Sequence, residues 1–470
     1  IVAADIPTYP NNPASGVDTL AELHTAIVDY VHGKDGFDEN NDASYTDMRP
    51  IVLGDIFHST PRAIAKPTRF LAHEPGYAGF LTAYNTRDRV VYTGANDGLL
   101  HAFDAGEHQT GDDTTTPELE TEYYTHGPGP SGDGSELFGY APGFLLDRLK
   151  ELPRNVPRSE FFVDGPIAVA DAWIGDGLGS DITKVTAEWA TVLIAGMREG
   201  GDGYLALDIT DPDATASDPH GPYPVMMWEF DSAVDPDLGE TWSEPVITRV
   251  KLENGLGTGD NCGVPDGDGD CREHWVAIFG GGYTAEGDPN RASYVPVGDA
   301  AWTDESKAIF MVSLDTGAVL AKVEYDSTGT NGPAAMQYSI PSSPAVLDTD
   351  FDGFADVVYV GDLGGQIWKW DISAVGDDND ADPLIDNWGY GRFFQTANTV
   401  TSGTPATHYR SFFFPPVASY VKNKLVLSFG SGERHDLGYA GDAGATENLS
   451  LIHISEPTRP PLLSRMPSSA

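Results

Sequence analysis

Cysteine, positive charge and long apolar runs are all scarce in this sequence of 470 residues. Only 27 residues are Lys or Arg, against 72 Asp or Glu, so the formal net charge is −45. A chain this acidic repels phosphate backbones, which argues against nucleic acid as a partner. No apolar run is long enough to cross a bilayer, so we expect no membrane span. The charge fits a secreted or cell-surface protein, or one from a salty habitat.

The two cysteines, Cys262 and Cys271, flank one short loop. A local disulfide is the favoured interpretation and indicates an oxidising compartment, while two free thiols are the alternative. The loop between them alternates Asp and Gly like the start of a cation-binding loop. Cys271 stands where such a loop needs Gly, so we do not predict an ion there. The chain opens Ile-Val-Ala-Ala-Asp, without Met or a signal peptide, and we interpret it as part of a longer protein.

Helical periodicity is also scarce, whereas the 53 Gly and 34 Pro are typical of an all-β protein. Residues 18–32 carry apolar groups at helical spacing and predict one amphipathic helix. A second short helix is predicted over 143–152, ended by Pro153. The Asp-, Gly- and Thr-rich stretches 105–135 and 376–388 are expected to be exposed loops.

A loose internal repeat runs through the rest of the chain. Its parts are a Pro that enters an apolar strand, a strand that ends in a Gly-rich turn, and often a third strand that closes on Asp. One copy comprises Ser343-Pro344-Ala-Val-Leu, Asp356-Val-Val-Tyr-Val-Gly361 and Ile367-Trp-Lys-Trp-Asp371. Such units are typical of degenerate β-propeller blades, and we expect about seven, the last one shortened. A pair of β-sandwiches is the alternative fold.

The stretch Asp348-Thr-Asp350-Phe-Asp352-Gly353-Phe354-Ala-Asp356 has the pattern of a calcium loop. Carboxylates at its first, third, fifth and ninth positions and Gly at its sixth match the start of an EF-hand loop. Tyr359 stands where that loop has Glu, and an apolar strand follows, so the pattern predicts a calcium loop that leads into a strand. A solvated Asp-rich turn is the alternative. The predicted Ca²⁺ ligands are Asp348, Asp350, Asp352, the carbonyl of Phe354 and Asp356.

Several separate motifs share their order with one known family. They are Gly54-Asp-Ile-Phe-His-Ser-Thr-Pro61, Gly94-Ala-Asn-Asp-Gly-Leu-Leu-His-Ala-Phe-Asp104, Phe162-Val-Asp-Gly165, Gly200-Gly-Asp-Gly-Tyr-Leu-Ala-Leu-Asp-Ile-Thr-Asp-Pro212 and Phe279-Gly-Gly-Gly-Tyr283. From about residue 45 to about residue 440 the chain resembles the C-terminal β-propeller domain of the PilY family. That family consists of type IV pilus tip and biogenesis factors and includes the neisserial PilC adhesins.

The resemblance implies a non-enzymatic protein that supports pilus extension, opposes retraction when calcium is bound, and helps surface attachment. It also implies that the five ligands named above bind Ca²⁺, since the family has its own loop at this place. The implied partners are pilus components such as minor pilins at the tip, and host or surface receptors. The implied location is extracellular and pilus-associated, after transit through the periplasm. Family members usually carry an N-terminal von Willebrand A-like domain, which this sequence lacks, so force sensing is not carried over.

Two other functions remain open for a propeller. Asp315-Thr-Gly-Ala-Val faintly resembles the blade repeat of quinoprotein dehydrogenases, but the tryptophans do not recur at a fixed place and there is no adjacent cysteine pair. Trp368, Trp370 and Trp388 could serve a glycan-binding face, although packing between blades explains them as well. The histidines lack metal-ligand spacing, and we predict packing roles for His58 and His101.

The predicted organisation is a helical linker at 1–44, the propeller at 45–449 and a tail at 450–470. From Ser450 onward the tail, Leu-Ile-His-Ile-Ser-Glu-Pro-Thr-Arg-Pro, resembles a translated sequencing adapter. We therefore expect it to be non-native and to lack packed structure, which would leave the edge of the last blade exposed.

Overall fold

The chain is β-rich and divides into two compact units, Ile1–Asp171 with Ala190–Asp231, and Ala172–Trp189 with Ser232–Ala470. The computed structural model describes residues 19–126, 132–154, 160–175, 183–253, 271–330, 332–377, 385, 387–396, 399–400, 407–421, 424–432 and 450–456. Within these ranges, no helix is long and apolar enough to cross a membrane.

The elements follow one another in this order: α1 (Leu20–Val31), β1 (Arg62–Ile64), α2 (Tyr77–Ala83), β2 (Val90–Gly94), β3 (Leu100–Asp104), β4 (His108–Thr110), β5 (Glu122–Tyr124), β6 (Glu136–Tyr140), β7 (Ile167–Trp173), β8 (Trp189–Gly196), β9 (Gly203–Asp208), β10 (Val225–Asp231), β11 (Val246–Glu253), β12 (Cys271–Gly280), β13 (Ala308–Ser313), β14 (Val319–Glu324), β15 (Ala345–Leu347), β16 (Val357–Gly361), β17 (Gln366–Asp371), β18 (Gly389–Gln395), β19 (Thr399–Val400), β20 (Thr407–His408), β21 (Val417–Val421), β22 (Lys424–Ser431) and β23 (Ser450–Glu456).

Helix α1 confirms the helix predicted over 18–32. Thr19 caps its start by accepting a hydrogen bond from the Glu22 amide, and the Glu22 carboxylate accepts one from the Thr19 amide. Leu23, Ile27 and Tyr30 recur at helical spacing and are buried. The helix therefore forms because its cap and its apolar face agree.

The single short helix predicted over 143–152 is found only in part. Two short 3₁₀ segments, Gly143–Leu145 and Leu149–Arg154, replace it, and Pro153 lies inside the second. Between them Arg148 donates hydrogen bonds to the carbonyls of Phe161 and Gly200. These tertiary contacts and the missing amide of Pro153 override the helical pattern. Helix α2 was not predicted.

Two four-stranded sheets belong to the first unit, with strand orders β1-β2-β3-β6 and β10-β9-β8-β7. The neighbours β1–β2, β2–β3, β3–β6, β8–β9 and β9–β10 pair in antiparallel register. Val90 and Tyr92 of one sheet share a buried core with Leu193 and Leu205 of the other. The two sheets therefore stack face to face, as neighbouring blades do. The stretch 105–135, expected to be loop, also contains the hairpin β4–β5.

Three larger sheets follow in the second unit, with strand orders β11-β12-β13-β14, β15-β16-β17-β18 and β21-β22-β23, and the two-stranded sheet β19-β20 lies between the last two in sequence. The middle sheet buries both of its faces. Val358 and Val360 of β16 lie in the core shared with β12 and β13, whereas Val357 and Tyr359 lie in the core shared with β22. Because side chains alternate along a strand, a strand between two neighbours is apolar at every position. Successive stacking of this kind identifies blades and differs from the two-layer sandwich.

The first residues of the tail form strand β23, whereas the non-native origin of the tail and its lack of packing stay predictions. The backbone of β23 pairs with β22, with Leu427 opposite Ile454. The open edge of β22 presents unpaired main-chain groups, and an extended segment satisfies them whatever its origin. Residues 457–470 lie outside the described part of the chain, as does most of 376–388. The described residues contain five blade-like sheets, of which the last has three strands, and the number of about seven stays a prediction for the whole chain.

Candidate metal centre

The predicted calcium loop is the connection between β15 and β16. The two strands pair up to Leu347 opposite Val357, so the ladder holds both ends of the loop. The amide of Asp356 donates to the carbonyl of Leu347 at 2.8 Å, which closes its base. Residues 348–356 are thereby confined to a tight turn at the end of a buried sheet.

Three of the predicted ligands come together in this turn. Carboxylate oxygens of Asp348, Asp350 and Asp356 all lie within 4.8 Å of one another, and Asp356 is buried. Asp352 does not join them, because its carboxylate forms an ion pair with Lys251. The side chain of Phe354 is buried. That its main-chain carbonyl binds Ca²⁺ stays a prediction.

Local hydrogen bonds shape the turn. The Asp348 carboxylate accepts from the amides of Phe351 at 2.6 Å and Gly353 at 2.8 Å. Gly353 has a φ of +93° and Phe351 a φ of +65°, both in the left-handed region. Asp356 accepts from the amide of Thr349 at 2.6 Å, so both outer carboxylates of the loop are oriented before any ion is considered.

The negative charges of the loop carboxylates repel one another. Partial burial raises the pKa of Asp350, and the neighbouring charges of Asp356 and Asp352 raise it further. A divalent cation would relieve that repulsion. The donors are oxygens alone, which suits a hard ion such as Ca²⁺ better than a soft one. The three clustered carboxylates thus fit the ion that the sequence predicts.

Strand β11 supplies two residues that sequence reasoning missed. The Nε of Arg249 donates to the carbonyl of Gly353 at 2.6 Å, and its guanidinium lies 4.7 Å from the ring centroid of Phe354. The ammonium of Lys251 lies 5.1 Å from the same centroid while it pairs with Asp352. The available signal was the alternation of two basic and two apolar residues along β11, in a chain with few cations.

The ring of Phe354 anchors the loop to the protein interior. It packs against Cys271, which is disulfide-bonded and buried, and against Val375. The disulfide agrees with the predicted oxidised state of Cys271, while the predicted partner Cys262 lies outside the described residues.

The packing roles predicted for two histidines are confirmed. His101 is buried, with Nδ1 2.6 Å from the Glu136 carboxylate and Nε2 3.1 Å from that of Asp97. His58 pairs with the buried carboxylate of Asp164. Both rings are held within the first unit by acidic partners.

Stacked four-stranded sheets with a carboxylate loop between two strands of one blade define a propeller-type protein with a candidate cation site. The family model described as the PilY1 beta-propeller domain matches residues 53–434. The chain therefore belongs to the PilY1 β-propeller family, as its sequence motifs predicted.

Individual relatives agree with this assignment. The type IV pilus biogenesis factor PilY1 of Pseudomonas aeruginosa is 31% identical over 356 residues, which cover 74% of this chain and 23% of that protein. A PilY1 homolog of Xylella fastidiosa is 28% identical over 419 residues, covering 85% of this chain and 22% of that protein. The chain thus spans under a quarter of the length of these relatives.

One solved structure is also similar. The crystal structure of the Pseudomonas aeruginosa PilY1 C-terminal domain aligns with a TM-score of 0.48 at 23% identity, covering 84% of this chain and 64% of that one.

Proposed function

We propose that this chain is the calcium-binding propeller of a type IV pilus biogenesis or tip-associated factor. In this role it supports pilus extension and opposes retraction when calcium is bound. Membership of the PilY1 family supports the pilus role, and the relatives named above are biogenesis factors, which favours it over the dehydrogenase and glycan-binding alternatives. The proposed partners are pilus components such as minor pilins, with host or surface receptors, at the cell surface.

One observation supports the proposed calcium binding. Carboxylate oxygens of Asp348, Asp350 and Asp356 lie within 4.8 Å of one another. We propose that these carboxylates hold Ca²⁺, with Asp352 and the Phe354 carbonyl as further ligands. The ion supplies positive charge that offsets the repulsion among the carboxylates. The protein contributes the turn, the oriented oxygens and the link from Phe354 to the interior. Occupancy then favours one arrangement of the loop over others, which is how an ion shifts a conformational equilibrium.

Calorimetric titration of Ca²⁺ into the purified chain tests this proposal. We expect Asp350→Ala to weaken binding at least about tenfold, because it removes a central carboxylate. Asp299→Ala is a matched control, since Asp299 is also an exposed loop residue that accepts a hydrogen bond from the amide two positions on, at 3.0 Å. Equal Ca²⁺ affinity in wild type and Asp350→Ala would contradict the site.

The pilus part needs a separate assay. The propeller of Pseudomonas aeruginosa PilY1 is replaced by this chain, and pilus extension and twitching are measured with and without a calcium chelator. We expect the chimera to restore extension in calcium, and the same chimera with Asp350→Ala to behave in calcium as the unmutated one does under chelation. If the chimera extends pili equally with and without the chelator, the proposal that calcium binding to the loop regulates extension is contradicted.

A further inference from the structure

Two nearly buried cations from a neighbouring sheet contact the carboxylate loop. The side chains of Arg249 and Lys251 on β11 are each 8% exposed. Arg249 reaches the backbone of the loop at Gly353, and Lys251 reaches the carboxylate of Asp352. The loop of one sheet is therefore held by charged groups of the next.

The two cations differ in what balances their charge. Arg249 lies 3.4 Å from the carboxylate of Glu273, a residue outside the loop. Lys251 has its ion pair with Asp352, inside the loop. A buried ammonium without an anion nearby is costly. Lys251 therefore keeps its ion pair with Asp352 unless another cation takes that carboxylate.

Asp352 stands at the fifth position of the loop pattern, between residues whose carboxylates cluster. Its Oδ1 accepts from the amide of Phe354 at 2.9 Å, and its Oδ2 faces Lys251. The carboxylate thus contacts strand β11, and it is not one of the three carboxylates that lie within 4.8 Å of one another. Asp352 can therefore pair with either of two cations, the ammonium of Lys251 or a Ca²⁺ ion bound in the loop.

We propose that Lys251 is a tethered cation that competes with Ca²⁺ for Asp352. It lowers the calcium affinity of the loop and ties its occupancy to the sheet that contains β11. The inference rests on the proposed function, because it requires that the loop binds Ca²⁺. Binding exchanges the Lys251–Asp352 ion pair for coordination of the metal by Asp352, and the freed ammonium is repelled by the divalent ion. Lys251 is a positioning residue here, since it acts through Asp352.

Lys251→Met tests the competition, because Met keeps a long side chain beside Phe354 and removes the charge. We expect its calcium dissociation constant, measured by calorimetry, to fall about tenfold relative to wild type. The melting temperature without calcium should fall and the rise on adding calcium should be larger, which a purely structural role of Lys251 does not give. Lys66→Met removes the same charge from a side chain that pairs with Glu122, and its affinity should equal that of wild type.

A double-mutant cycle with Asp352→Asn separates competition from a general field effect. Asp352→Asn alone should weaken binding, and adding Lys251→Met to it should change the dissociation constant by less than about twofold. If the tenfold gain persists in the Asp352→Asn background, competition for Asp352 is refuted. Lys251→Gln serves as the second variant should Lys251→Met fail to fold.

The proposed function and this inference fail in different ways. Absence of calcium binding by the wild-type chain overturns both. Binding that is lost in Asp350→Ala but unchanged or weakened in Lys251→Met and Lys251→Gln overturns the role of Lys251 alone.

Discussion

At the scale of single residues, the loop between β15 and β16 shows which features a sequence can predict. The carboxylates of Asp348, Asp350 and Asp356 lie close together because one short segment contains both their spacing and the turn at Gly353. Asp352 belongs to the same pattern, but its partner Lys251 lies 101 positions away. No spacing rule relates the two, since their contact depends on how two sheets stack.

Gly353 gives a prediction at this scale. Its φ of +93° is unfavourable for any residue with a Cβ, and an added Cβ would lie 2.3 Å from Nη2 of Arg249. Arg249 cannot move aside without losing its bonds to the Gly353 carbonyl and Glu273. We expect Gly353→Ala to lower the free energy of unfolding by about 1–3 kcal/mol, measured by chemical denaturation.

The control for that experiment is Gly391→Ala. Gly391 lies in β18 of the same sheet, and a Cβ added there meets nothing within 4 Å. It should leave the stability unchanged or slightly raised. Equal effects of the two substitutions would show that the left-handed turn at Gly353 is not required.

At the scale of elements, strand identity was predictable and strand surroundings were not. The sequence predicts a strand over Val357–Gly361, and the uninterrupted apolar character of this strand fits its burial on both faces. Which side chains of a strand face which neighbouring sheet depends on the strand register and on how the sheets stack. Neither can be predicted from the sequence of the strand. The two 3₁₀ segments that replace the predicted second helix show the same limit, because Arg148 is held by distant carbonyls.

His101 gives a prediction for the sheet that contains β3 and β6. Burial alone would lower the pKa of its imidazole, but the carboxylates of Asp97 and Glu136 outweigh burial and raise it. A raised pKa in the folded state means that the stabilisation is complete below the unfolded value of about 6.5 and is lost as pH rises through the folded pKa. Wild type should therefore exceed His101→Gln in stability most at about pH 5.5, and less at about pH 9.

Chemical denaturation of both proteins across this range measures the difference. His24→Gln is the control, because His24 is an exposed residue of α1. A difference between wild type and His101→Gln that is constant with pH would rule out the charged pair as its source.

At the scale of the whole molecule, family membership and all-β character followed from the sequence, whereas the behaviour of the tail did not. The resemblance of the tail to an adapter does not indicate strand β23, whereas its start, with Ile452 and Ile454 at alternate positions, favours a strand. The net charge of −45 also acts at this scale. Like charges on a compact chain repel, and dissolved salt screens them over about 10 Å at 0.1 M.

We expect the melting temperature to rise by several degrees as NaCl is raised from about 0.02 M to about 0.5 M. Calcium at matched ionic strength should raise it further in the wild type, and much less in Asp350→Ala, because a bound ion adds to screening. Scanning calorimetry or fluorescence melting measures both effects. If Mg²⁺ and Ca²⁺ act alike in both proteins, the cation effect is screening alone.

The pairing of β23 with β22 has a practical consequence for anyone who extends this protein. A ladder of main-chain hydrogen bonds recognises extension and length more than side-chain identity. Strand β23 is the outer strand of the sheet β21-β22-β23, and we expect its free edge to pair with a strand-forming peptide fused behind it, such as a tag or reporter. A fusion partner meant to stay free should be separated by a proline-rich spacer, which cannot donate the amides that such recruitment requires.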